Sequence, residues 1–173
     1  MIKKILMLAM FAVLPLHLAA QESDIAWMDI QDLEAAMANE PKPVLIDFYT
    51  SWCGWCKRMD KTTFIDSRLI AYLNDNYYCV KFDGEEKKTV RYKGKDFKFV
   101  SRGRRGYNEL AAGFLKGQMS YPSLVVMDAE FGILQTFKGY RKADELLPIV
   151  KYLGEGLYTN VTWDDFIKEW EGE

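Results

Sequence analysis

Histidine is almost missing from this 173-residue chain, and the single one, His17, lies in an apolar run near the N-terminus. Lys3 and Lys4 precede that run, which spans residues 5–18, and Leu18-Ala19-Ala20 places small residues before Gln21. The pattern predicts a secretory signal over residues 1–20 and a protein exported to a bacterial periplasm. The run is short against the roughly 20 residues of a membrane span, contains Pro15, and has no cysteine beside the cleavage point for lipid attachment. An uncleaved membrane anchor is the alternative reading. Loss of the signal takes His17 with it. A mature chain without histidine has no Cys–His or Ser–His–Asp mechanism and no imidazole ligand for zinc, so no metal is expected.

A strong excess of charge of either sign is also lacking. Removing two lysines and no acid shifts the formal charge from -2 to -4. Nothing in that balance points to nucleic acid or an anionic membrane as partner. Cysteine is scarce, with three in all, so they cannot all pair within one chain. Cys79, in the strand-like run Tyr77-Tyr78-Cys79-Val80-Lys81-Phe82, reads as a buried, inert residue. Internal repeats and low-complexity tracts are absent. A hydrophobic content of 49% with 14% aromatics suits one globular domain over residues 21–173.

What the chain does contain is Trp52-Cys53-Gly54-Trp55-Cys56-Lys57, directly after the apolar run Val44-Leu45-Ile46-Asp47-Phe48-Tyr49. A buried strand followed by a cysteine pair that opens a helix is an arrangement that makes a reactive dithiol. The helix N-terminus favours a thiolate at Cys53, and Cys56, three positions on, is placed to attack a mixed disulfide formed there. A structural disulfide or half of a zinc site is the competing reading, and zinc would find only Cys79 and carboxylates as further ligands. Asp47 lies among Leu45, Ile46 and Phe48, where a carboxylate costs several kcal/mol unless paired or protonated. Desolvation there raises its pKa into a range useful for proton transfer. Lys57 adds a positive charge next to the dithiol.

Along the chain, periodicity predicts a helix within residues 29–39, the strand 44–49, a helix from Cys53 past Met59, a helix over 67–74 and a strand over 77–82. Residues 84–106 read as an insertion. Its strand-like runs 89–92 and 97–100 surround Lys93-Gly94-Lys95-Asp96 and predict one hairpin. Residues 87–105 hold nine Lys or Arg and one acid, which reads as a solvated hairpin or as a docking surface for acidic partners. A helix over 107–115, strands over 123–127 and 133–138 in an antiparallel hairpin, and a helix over 143–153 follow. Thr162 reads as an N-cap in a C-terminal helical extension over 159–171.

In these motifs the sequence resembles the thioredoxin superfamily, and closely resembles exported thioredoxin-like proteins that carry Trp-Cys-Gly-x-Cys-Lys. The likeness covers residues 44–153 apart from the basic insertion. It implies an α/β thioredoxin-like fold, a central mixed β-sheet flanked by helices, here with an inserted basic β-hairpin and an extra C-terminal helix. It implies Cys53 as attacking thiolate, Cys56 as resolving thiol, and Asp47 as the buried acid that moves protons to and from Cys56. Lys81 falls where the family often has a lysine near that acid. Tyr121-Pro122 falls at the family's cis-proline, whose neighbouring backbone pairs with substrate, and Gly139 matches a glycine that leaves room for it. Trp52, Gly54 and Trp55 complete the implied substrate surface. Two positions depart from ordinary thioredoxin: Trp55 replaces a proline between the cysteines, and Tyr121 is bulkier than the usual residue.

The expected activity is that of a thiol–disulfide oxidoreductase that reduces client disulfides and is recharged by a membrane thiol–disulfide electron donor, with no cofactor beyond the Cys53–Cys56 disulfide. A disulfide oxidase or isomerase is the alternative within the same chemistry. A peptide-binding or chaperone module is the alternative outside it.

Overall fold

The computed structural model describes residues 23–170. A five-stranded sheet is built from β1 (Trp27–Met28), β2 (Val44–Tyr49), β3 (Tyr78–Asp83), β8 (Ser123–Met127) and β9 (Ile133–Lys138) in the order β1-β3-β2-β8-β9. The first three strands are parallel, β8 runs antiparallel to β2, and β9 runs antiparallel to β8. This is the expected mixed sheet flanked by helices.

Helices cover both faces. Leu33 and Met37 of α1 (Leu33–Asn39) and Leu110 and Ala111 of α4 (Glu109–Phe114) pack with Val44, Ile46, Phe48, Val80 and Val125. Met59 of α2 (Gly54–Thr62), Leu69 and Leu73 of α3 (Ser67–Asn76), and Leu146 and Val150 of α5 (Ala143–Gly154) pack with Leu45, Cys79 and Leu124 on the other side. Side chains alternate along a strand, so Asp47 points to the Leu45 face, the one that α2 covers. Lys81 stands opposite Asp47 in the β2–β3 register and shares that face with Cys79.

Side-chain caps start helices at the expected Thr162 and also at Asp66. Asp66 caps α3 by accepting from the Arg68 and Leu69 amides, and the Thr162 hydroxyl accepts from Asp165 N–H at the start of α6 (Trp163–Trp170). The α6 aromatics Trp163 and Phe166 pack on Tyr152 of α5.

The insertion departs from expectation. In place of one hairpin it forms two: β4 (Val90–Tyr92) with β5 (Lys95–Phe97), and β6 (Phe99–Arg102) with β7 (Arg105–Asn108). Lys93-Gly94 is the first turn, so Phe97, expected to begin the returning strand, ends β5 instead. Tyr107, expected in a helix, lies on β7, and α4 begins only after Asn108. Asn108 is fully buried: its side chain caps Leu110 N–H and donates to the carbonyls of Glu86 and Lys88, tying both hairpins to the body. Val90 and Tyr92 join the core, whereas β6 is part-exposed or exposed along its length.

Candidate active site

Cys53 is the N-cap of α2, with φ -72° and ψ 108°, outside the helix proper. Its sulfur accepts from the Cys56 amide at 3.1 Å. The two cysteines are joined as a disulfide with Cα atoms 5.3 Å apart, and both are buried. The Cys53 sulfur stands at the unpaired N–H groups and the positive end of the α2 dipole, which favour negative charge there. Cys56, one turn along and facing inward with Met59, is held next to it.

Beneath α2 the sheet brings up Asp47, 1% exposed. Burial pushes its carboxyl up to about 7; Lys81 pulls the other way, and the charge of Asp60 adds to the rise. Lys81 Nζ is 3.6 Å from Asp47 Oδ2 and hydrogen-bonds Asp60 on α2. The ammonium also lies over the rings of Trp27, Tyr49 and Phe64, at 5.2, 5.4 and 5.5 Å from their centroids. Asp47 Oδ1 is buried and has no hydrogen-bond partner among the described residues. A carboxyl near neutrality can both accept and return a proton at ordinary pH.

Sequence reasoning missed Asp60 and Trp27. Asp60 carried a signal, since four positions after Cys56 on one helix puts it on the same face. Trp27 carried none, for its strand is two residues long.

The peptide bond Tyr121–Pro122 is cis. Pro122 begins no strand itself; its carbonyl accepts from Gly139 N–H at 2.8 Å, which sets Gly139 beside it. Gly139 has φ +85°, a conformation glycine adopts freely, and a Cβ there would meet only open space. Tyr121 packs edge-on against Trp52, with ring centroids 6.2 Å apart. A Cβ built at Gly84 would overlap the Tyr121 ring and hydroxyl, so a residue without a side chain is what admits the tyrosine. Trp52, before the first cysteine, and Trp55, between the two, are 47% and 56% exposed. Trp55 stacks with Tyr140 and under the Arg58 guanidinium.

Of the remaining expected residues, Gly54 opens α2 at the surface, and Lys57 is exposed and forms no ion pair among the described residues. Cys79 stands apart, 2% exposed, its thiol pushed up to about 12 by burial. Among the described residues no three His, Cys, Asp or Glu side chains converge as metal ligands. No helix among them is long and apolar enough to cross a membrane.

Comparison with known proteins follows the same lines. "Thiol:disulfide interchange protein DsbD" of Campylobacter jejuni is 34% identical over 65 residues, 38% of this chain and 11% of that protein. The chain thus spans about a tenth of the length of the curated relatives it matches. A thioredoxin-fold protein from Helicobacter pylori superposes with a TM-score of 0.56 at 19% identity, covering 76% of this chain and 81% of that one. A putative disulphide-isomerase from Bacteroides thetaiotaomicron reaches 0.53 at 27% identity over 77% of this chain and 95% of that one. A Cys-x-x-Cys pair closed as a disulfide at a helix N-terminus is an arrangement suited to thiol–disulfide exchange. The model of one family, Thioredox_DsbH, described as "Protein of unknown function, DUF255", matches residues 12–107, more than half of the sequence, and the chain belongs to that family.

Proposed function

We propose that this chain is an exported thiol–disulfide oxidoreductase that reduces disulfides of client proteins. The Cys53 thiolate attacks one sulfur of a client disulfide, forming a mixed disulfide and releasing the other client sulfur as a thiolate. Asp47 takes the proton of Cys56. The Cys56 thiolate then attacks Cys53 sulfur, closing the Cys53–Cys56 bond and freeing the second client thiolate. Two electrons pass from the dithiol to the client, and the released thiolates take up protons from water and Asp47. What supports this reading is the Cys53–Cys56 disulfide at the start of α2 together with Asp47, buried on the sheet face that α2 covers and linked through Lys81 to Asp60 of the same helix.

Trp52, Gly54, Trp55, Tyr121, Pro122 and Gly139 form the surface that receives the client, with Lys57 adding positive charge on the helix. A membrane thiol–disulfide relay re-reduces the pair. The N-terminal pattern that motivates export lies outside the described residues; the proposal there rests on Lys3, Lys4 and the apolar run over 5–18.

The likeness to a putative disulphide-isomerase favours a second reading, in which the pair gives its disulfide to clients. The reduction potential separates the two. The chain is equilibrated in thiol–disulfide buffers and followed by the fluorescence of Trp52 and Trp55. A value near about -270 mV is expected for the reductase, and one between about -180 and -120 mV would replace it by the oxidant or isomerase.

A further inference from the structure

Trp52 and Tyr121, each next in sequence to a proposed site residue, also form one wall of a cavity of about 350 Å³. The β6–β7 hairpin also lines it, contributing Arg102 and Arg105. These two arginines are paired across the hairpin. The Arg105 guanidinium lies 4.1 Å from the centroid of the Trp52 ring, and that of Arg102 lies 5.3 Å from the centroid of Tyr107. Neither arginine forms an ion pair among the described residues. Glu85 is the one carboxylate on the lining, so the pocket is positive on balance in a protein that is acidic overall.

A guanidinium stacked on an aromatic ring is fixed in orientation while its N–H edge stays available, and that edge matches a carboxylate in a bidentate pair. Arg105 is held in this way against the residue that precedes Cys53. The hairpin tip, residues 102–105, adds Arg104 and no acid.

We propose that this pocket is a subsite for an Asp or Glu side chain of the client, flanking the cysteine under attack; the proposal rests on the reductase reading above. Arg102 and Arg105 bind the carboxylate, and the Trp52–Tyr121 wall contacts the stem of the same side chain. The insertion is thereby a selectivity element for acidic sequence around client disulfides.

The test uses the reduced full chain and three synthetic peptides, each carrying one disulfide and identical except for Asp, Asn or Lys beside the cysteine. Hydroxyethyl disulfide, neutral and too small to reach the pocket from the cysteines, is the fourth substrate. The Asp peptide is expected to be reduced about tenfold faster than the Asn peptide in kcat/KM, and the Lys peptide more slowly than either. The Asp-to-Asn ratio is expected to fall to about one in the double variant R102A/R105A, to persist in R104A, and to shrink at about 0.5 M salt. Equal rates for the Asp, Asn and Lys peptides with the unaltered chain overturn the subsite whether or not the double variant folds. A ratio that persists in the folded double variant overturns it too. Reduction of hydroxyethyl disulfide with equal peptide rates leaves the reductase reading standing and removes the subsite alone. No reduction of any of the four removes both.

Discussion

Lys81 Nζ lies 3.6 Å from Asp47 Oδ2, yet its direct hydrogen bond goes to Asp60 on the helix that carries the cysteines. One ammonium is therefore shared between a buried carboxyl and a half-buried one. The charge state of Asp47 depends on both neighbours, and in opposite senses: Lys81 favours the carboxylate and Asp60 the acid.

Removing each neighbour should move the Asp47 titration in opposite directions. Lys81→Met is expected to raise its midpoint above about 7 by roughly one unit, and Asp60→Asn to lower it by a similar amount. Carbon-13 NMR of the carboxyl, followed against pH, reads both. Shifts of the same sign would show that the three groups do not act as one charge system.

Asp47 should make the resolving step depend on pH. As the base for Cys56 it works only when ionised, so the rate of mixed-disulfide resolution is expected to climb through about pH 7 and level off above it. In Asp47→Asn that limb should vanish and resolution slow by about 10- to 100-fold at pH 7. Stopped-flow tryptophan fluorescence gives the profile, and an unchanged limb in the variant would remove Asp47 from the proton path.

The same residue should cost stability. In the fold its carboxyl keeps a proton up to about 7, whereas its ordinary value is 3.8. Between those values the native state binds a proton that the unfolded chain has lost, so stability falls as pH rises and the loss is complete above about 7. Asp47→Asn is expected to be more stable than the parent by about 2–4 kcal/mol at pH 8.5 and to differ little at pH 4. Urea unfolding at the two pH values measures the difference.

Cys53→Ser is expected to lower client reduction by at least about a thousandfold, and Cys56→Ser to accumulate a covalent client adduct seen by intact mass. Full biological activity of the Cys53→Ser chain would make it a peptide-binding module in place of a reductase.

Gly84 and Tyr121 should be coupled. Gly84→Ala puts a methyl group where the tyrosine ring lies and is expected to destabilise the fold by about 1–3 kcal/mol. Adding Tyr121→Ala should recover most of the alanine's cost, which a double-mutant cycle of denaturation midpoints tests.

The sequence made the sheet legible because β2, β3, β8 and β9 carry long apolar runs with turn residues between them, and α3 and α5 carry clear helical periodicity. Asp47 stood out for the converse reason, an acid where every neighbour is apolar. β1 was illegible because two residues hold no period. The second hairpin was hidden because Arg102, Arg105 and Gly106 break any alternation of apolar and polar positions, and its register is visible only once β6 and β7 are paired. Asp60 looked like an ordinary solvated residue between Met59 and Lys61, since its meaning depends on Lys81, which reaches it from a different strand. Gly84 takes its meaning from Tyr121, 37 positions away, a contact that only the tertiary fold creates.

The two inserted hairpins form sheets of their own outside the five-stranded sheet, and Asn108 at the end of β7 anchors them to the segment after β3. Every strand of that sheet finds its register without them, and of the two it is the first whose side chains, Val90 and Tyr92, enter the core. Short of its buried Asn108 anchor, the second hairpin adds no residue to the core and is expected to tolerate changes of length or charge while the dithiol, Asp47 and Lys81 keep their places. What the protein chooses to act on is thus mechanically separable from how it acts, and a swapped β6–β7 loop is the natural place to re-address the same chemistry to a different set of clients.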